Sequence, residues 1–273
     1  MVSSSSIPPA LSQAGRLLQA LFYAWRGSSQ CWDEFRYQHR PRSPGLNIGM
    51  YVGPGDAQDS SEWIPVKVFD VQNPSPPGKV ILAWCGCEDP LFYMYEVVKK
   101  VLDRLLSSNV ITNVEEVRVE IKPNRKYVYE YEKGVYLGGP QPEHYLYLVK
   151  TPDGNQYAVD LSGAQYGILD RPVMPWREYK DIYVQQVVEI CDHGHYSMER
   201  SRNSVPERVK QASDMDDVIQ DWCEQKELEL GDLLTMGTGA GFDTARKEVC
   251  QAVSEGVKNG IRKRLAGEEV GAQ

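Results

Sequence analysis

The stretch His144-Tyr145-Leu146-Tyr147-Leu148-Val149-Lys150-Thr151-Pro152-Asp153-Gly154-Asn155-Gln156-Tyr157-Ala158-Val159-Asp160 decides the fold. It reads as two strands, His144–Lys150 and Gln156–Leu161, folded back on each other at a tight turn. Pro152 presets the first turn residue, Asp153 suits the second, and Gly154 can take the left-handed conformation that closes a three-residue loop with a bulge. Such a loop pairs Thr151 with Asn155. Asp160 then lies opposite Leu146, and His144 is the next residue on the same face, diagonal to Asp160. Diagonal neighbours are roughly 7–8 Å apart at the backbone, within reach of an imidazole and a carboxylate. A four-residue loop would shift the register by one and put the two side chains on opposite faces. A carboxylate on one ring nitrogen of His144 fixes its tautomer, and a thiol near the other nitrogen can lose its proton to it. The plainer reading is a strand histidine with a polar neighbour.

Outward from this hairpin the pattern is mixed. Upstream, Asp89 and Pro90 have the chemistry of a helix N-cap and first helical residue. Leu91, Met94, Val98, Val101, Leu102 and Leu105 then form one apolar stripe that ends at Ser107-Ser108-Asn109. Val114–Lys122 and Lys126–Glu132 read as strands, the second alternating Tyr127, Tyr129 and Tyr131 with Val128 and Glu130. Short strands are expected at Val66–Val71 and Lys79–Trp84, separated by the Pro/Gly cluster at residues 73–78, and a loop is expected from Pro41 to Pro54. Residues 1–10 read as a disordered lead. Leu17, Leu18, Leu21, Phe22 and Trp25 define a first helix, with Gly27-Ser28-Ser29 a candidate break and Gln30–His39 a continuation or a second short helix. Downstream, helices are expected at Trp176–Ile190, Val205–Leu234 and Thr244–Leu265. The fold class is α+β: a helix packed on an antiparallel sheet. The expected division is a helical segment and loop over 1–60, an α+β core over 61–190 and a helical C-terminal extension over 191–273.

Composition narrows the function classes. The 273 residues carry 30 Lys+Arg against 38 Asp+Glu, a formal charge of −8. That balance argues against a nucleic-acid partner, which needs a basic face to displace counterions. No apolar run approaches the roughly 18–20 residues that cross a bilayer. Six irregularly spaced cysteines are too sparse for a disulfide scaffold. The first positive side chain is Arg16, so no basic region precedes the apolar stretch, and a cytoplasmic protein with reduced thiols is expected.

The hairpin resembles the His-strand, turn, Asp-strand signature of the transglutaminase-like, papain-related cysteine superfamily over residues 143–167. Its continuation, Asp160-Leu161-Ser162-Gly163-Ala164-Gln165-Tyr166-Gly167, is similar to a segment of uncharacterised proteins of filamentous fungi. Some of those carry a MYND-type zinc finger, for which this chain has no CxxC pair. The resemblance implies a Cys-His-Asp core with the nucleophile upstream, at the N-terminus of a helix packed on the sheet. Cys87 is the best placed, although it sits just outside the helix start. Cys31, in a Gln30-Cys31-Trp32 triplet similar to that of transglutaminases, ranks second and Cys85 third. Backbone N–H groups at the Asp89 helix start would serve as oxyanion donors. Gln165 and Tyr166 are candidate substrate-binding residues, with Gln165 a donor to a substrate carbonyl.

Three other clusters have plainer readings. Cys191-Asp192-His193-Gly194-His195 with Cys85 and Cys87 offers zinc ligands, but at no standard spacing. Residues 236–242 are glycine-rich without the strand that a dinucleotide site needs, so they read as a helix connection. Lys258, Arg262, Lys263 and Arg264 read as a solvated helix face. The function expected is acyl transfer or amide hydrolysis by Cys87, His144 and Asp160 on a protein or a small amide or ester, with no cofactor, metal, nucleic acid or membrane. The alternative is a non-catalytic interaction domain on the same scaffold, and a zinc-stabilised domain ranks third.

Overall fold

A computed structural model describes residues 6–29, 35–39, 48–52, 64–65, 74–123, 128–132, 135–138, 143–203, 205–237 and 239–267. The hairpin forms in the expected register. Strand β7 (Glu143–Lys150) pairs antiparallel with β8 (Gln156–Val159), Lys150 opposite Gln156 and Tyr147 opposite Val159. The Thr151 N–H donates to Asn155 O at 2.9 Å and Gly154 sits at φ +81°, which is the bulged three-residue loop. Extension of this register places Asp160 and His144 as diagonal neighbours.

On its other side β7 pairs with β4 (Asn113–Ile121), and β4 pairs with β10 (Val184–Asp192). With β9 (Val173–Pro175) beside β8, the strand order is β10-β4-β7-β8-β9, antiparallel throughout. Both faces of this sheet are covered, and β7 is accordingly buried at every position from His144 to Val149. Tyr145, Tyr147, Val149, Tyr157 and Val159 face a large helical core. Leu146, Leu148 and Ala158 face a second cluster with Val117, Val119, Tyr166, Trp176 and Tyr179. His144 and Asp160 have the parity of this second face.

The helical core is built around α1 (Pro9–Ser29), buried nearly all round from Leu11 to Trp25. It packs against α4 (Tyr95–Ser107) and α8 (Ala240–Leu265), and α7 (Pro206–Lys226) packs on α8. The second face is covered by α5 (Trp176–Tyr183) and a 3₁₀ turn, Gly163–Tyr166. The chain is thus α+β. Among the described residues no helix is long and apolar enough to cross a membrane.

Several local expectations are corrected. Lys79–Trp84 is not a strand: α2 (Pro76–Ala83) is a helix in which the Ser75 hydroxyl accepts from Gly78 N–H at 3.4 Å, and the prolines occupy the first positions. Prolines that read as a loop are here a helix start, where a missing N–H is harmless. The helix expected from Asp89 is two pieces, α3 (Asp89–Phe92) and α4, because Tyr93 and Met94 N–H both turn back to Asp89 O. Trp176–Ile190 changes from helix to strand at Val184, where β10 supplies β4 with its outer neighbour. β1 (Phe35–His39) is a strand rather than a helix, and β2 (Ile48–Val52) crosses the expected loop. With β3 (Ile64–Pro65), β5 (Val128–Glu132) and β6 (Val135–Gly138) they form a second sheet, β3-β1-β2-β5-β6, in which β2 and β5 run parallel. The strand expected at Val66–Val71 lies outside the described residues.

Candidate active site

The site begins with the turn of the hairpin, whose register carries His144 and Asp160 to one end of β7. His144 Nε2 lies 2.9 Å from Asp160 Oδ2, and both side chains are buried. The same oxygen accepts from Tyr179 Oη at 2.8 Å, and the Ser162 N–H donates to Asp160 Oδ1 at 3.2 Å. The carboxylate is therefore held by three donors from three elements. A carboxylate acceptor at Nε2 assigns the proton to that nitrogen and leaves Nδ1 as the basic one. Nδ1 is buried and has no hydrogen-bond partner.

Two further buried polar atoms in the same segment, Ser162 Oγ and Gln165 Nε2, also lack partners. An unsatisfied buried polar atom costs about 1–3 kcal/mol. Gln165 is buried, and its Nε2 is a donor without an acceptor. Tyr166 is placed differently from the expectation. It is buried, stands edge-on to His144 with ring centres 4.7 Å apart, and donates through Oη to Glu143 O at 3.4 Å. Its ring packs on the imidazole and is closed to solvent rather than lining an open cleft.

Cys87 reaches the same strand end. Its thiol donates to Glu143 O at 3.7 Å, the carbonyl that Tyr166 also uses and the one directly preceding His144. The sulfur makes no hydrogen bond to Nδ1. Cys87 packs with the helical core, whereas His144 has the parity of the opposite sheet face, and what links them is the Glu143 carbonyl that the thiol bonds. Burial pushes the Cys87 thiol well above the ordinary range, and the carboxylates of Glu88 and Asp89 push it further. The expected help from a helix dipole is small, because α3 is only four residues long. The expected oxyanion donors are also reduced: Pro90 has no N–H, and Leu91 and Phe92 N–H both donate to Glu88 O. Cys85 is exposed and strained, at φ +50°, and strain of this kind in a non-glycine residue clusters at functional sites. Cys31 lies outside the described residues.

What holds this loop is a buried ion pair. Arg26 Nη1 donates to Asp89 Oδ2 at 2.9 Å, Nε to Leu82 O at 3.0 Å and Nη2 to Trp84 O at 2.7 Å. Arg208 bonds the other Asp89 oxygen. Asp89 is therefore not the helix cap that its position suggested; its carboxylate anchors two arginines, and α3 has no side-chain cap.

The zinc constellation that ranked third among the readings does not assemble as a set. His193 packs between Tyr95 and Tyr147 with Nδ1 3.4 Å from the buried Glu116 carboxylate, and Cys85 and Cys87 belong to the Arg26 loop. A pocket of about 350 Å³ lies away from all of these groups, among Lys100, Ile219, Cys223 and Leu230. Comparison with family models, curated proteins and solved structures finds no match for the chain.

Two consequences can be measured. A Cβ on Gly163 would lie 2.3 Å from Asp160 Oδ2, so Gly163→Ala must push the carboxylate off His144. The expected result is loss of the hydrogen-bonded His144 Nε2–H signal in proton NMR with the fold retained; an unchanged signal would show that Asp160 does not accept from Nε2. A thiol with a raised pKa stays protonated through neutral pH. Iodoacetamide should therefore label native Cys87 slowly at pH 6 to 7, with a rate that climbs only above the ordinary thiol value of about 8.5. Rapid labelling already near pH 6 would instead reveal a preformed thiolate.

Proposed function

We propose that the chain is a cysteine-dependent acyl-transfer or amide-hydrolysing protein on a transglutaminase-like, papain-related core. Cys87 is the nucleophile, His144 the general base and acid, and Asp160 the orienting carboxylate. The observation that supports this most is an imidazole with an unpartnered Nδ1 and a carboxylate on its far nitrogen, at the strand end where the Cys87 thiol bonds the Glu143 carbonyl. Because the thiol is neutral at rest, the chemistry runs by general-base assistance rather than from a stored thiolate. The proposal requires the Cys87 thiol to leave Glu143 O and approach Nδ1, and catalytic contacts are often loose before substrate binds.

The sulfur then attacks the acyl carbon while Nδ1 takes the thiol proton. The leaving group receives that proton as its bond to carbon breaks, and a thioester remains. Water, or an amine in transfer, gives its proton to Nδ1 and attacks the thioester, and the thiol is restored. Gln165 Nε2 is the side-chain donor nearest in sequence to this site that lacks an acceptor. A protein or a small amide or ester serves as acyl donor, and a cytoplasmic setting would keep Cys87 reduced. The similarity to filamentous-fungal proteins belongs to the same proposal.

A second reading, a non-catalytic interaction domain on this scaffold, is favoured by the Cys87 environment: a hydrogen bond to a backbone carbonyl and two acidic neighbours. Incubation with an activated ester such as p-nitrophenyl acetate separates the two. Under the first reading an acetyl thioester accumulates on Cys87, located by peptide mass spectrometry and absent in Cys87→Ser. Acetylation spread over lysines and all cysteines alike supports the second.

A further inference from the structure

We propose that Glu189, Cys191 and His195 form a zinc site that clamps the end of β10 to the helix that follows it, α6 (His195–Asn203). The three ligating atoms lie within 4.8 Å of one another. Glu189 and Cys191 are two apart on a strand and so project from one face. The turn at His193-Gly194 brings His195 back over that face. Gly194 holds φ +92° there with Tyr95 packed against it, so the turn needs glycine.

The surroundings fix these ligands as metal ligands usually are fixed. The fully buried Glu116 carboxylate accepts from Gly194 N–H at 2.8 Å and from Tyr196 N–H at 3.0 Å, pinning the backbone on both sides of His195. Tyr196 Oη donates to Glu189 Oε2 at 2.9 Å, and Arg118 Nη2 lies 3.3 Å from the same oxygen. Outer partners of this kind orient ligating carboxylates. His195 Nε2 lies 3.7 Å from the exposed Glu199, a weak contact that a metal readily displaces. One thiolate, one imidazole and one carboxylate suit borderline Zn²⁺ better than Mg²⁺ or Ca²⁺, and three protein ligands leave the fourth tetrahedral position to water. On binding, Cys191 gives its thiol proton to solvent and ligates as thiolate.

The test is titration of the metal-free full chain with Co²⁺ as a spectroscopic stand-in, followed by competition with Zn²⁺. One equivalent of Co²⁺ is expected to give a thiolate-to-cobalt charge-transfer band and the d–d absorption of tetrahedral cobalt, both removed by Zn²⁺. Loss of an outer partner weakens metal sites about 10–100-fold. Tyr196→Phe should therefore weaken binding about 10-fold, and Cys191→Ser or His195→Ala by more than about 100-fold, with circular dichroism unchanged. Cys85→Ser/Cys87→Ser should bind as the parent does. Absence of the thiolate band, tight binding that survives Cys191→Ser, or binding lost in Cys85→Ser/Cys87→Ser would each overturn the assignment.

Discussion

Asp89→Ala should lower the stability of the fold by about 3–5 kcal/mol, the cost of leaving a buried cation without its partner. Arg26 is fully enclosed, and two of its contacts, to Leu82 O and Trp84 O, are with neutral carbonyls. Without the carboxylate Arg26 loses its ion pair with Asp89 in the core, and Arg208 loses the same partner from the surface side. For a chain of this size such a loss should move the thermal midpoint by on the order of 10 °C. Asp89→Asn keeps a hydrogen-bond acceptor and should fall between the parent and alanine. Urea denaturation of the three proteins measures this directly, and a difference below about 1 kcal/mol between alanine and parent would show that the pair is solvated. The same substitution bears on the site, because Asp89 follows Cys87 by two residues and its ion pair fixes the path of the loop. It also removes one of the charges that keep the thiol protonated.

The second large effect concerns the imidazole. His144→Ala should slow acylation of Cys87 by about 10²–10⁴, the usual span for loss of a positioned general base. Asp160→Asn is expected to approach the same loss by a different route. An asparagine amide at Oδ2 would donate to Nε2 and drive the imidazole proton to Nδ1, which then has no lone pair for the thiol proton. Tyr179→Phe removes one donor to Asp160 but leaves the Ser162 N–H and His144 in place, so it should cost less than about tenfold. If all three variants acylate at the parent rate, the cluster is a structural hydrogen-bond network and the interaction-domain reading prevails. Far-ultraviolet circular dichroism of each variant guards against loss of fold.

Much of this arrangement was legible in the sequence because it is local. The Thr151–Asn155 turn sets a register by its own chemistry, and that register alone carries His144 to Asp160. The apolar stripes of α1, α4, α7 and α8 are likewise visible at helical spacing. What escaped depends on distant packing. The Arg26–Asp89 pair spans 63 residues, so Asp89 reads as an ordinary cap until the arginine is seen behind it. Residues 80–83 are apolar on every side, and periodicity cannot tell such a run from a buried strand. β10 carries two bulges that break its alternation, so it reads as a continuation of α5. The error hid Glu189 as well, since residues 189 and 191 share a face only on a strand. Tyr179 gave no signal, because its bond to Asp160 exists only once α5 is folded over the sheet.

The most direct measurement is the rate at which an activated ester acylates Cys87 in the parent and in His144→Ala, followed by peptide mass spectrometry at neutral pH. If Cys87 and His144 act as one site, acylation is confined to Cys87 and slows by about 10²–10⁴ in the variant. Equal rates in the two proteins, or acylation no faster at Cys87 than at exposed Cys85, would contradict it.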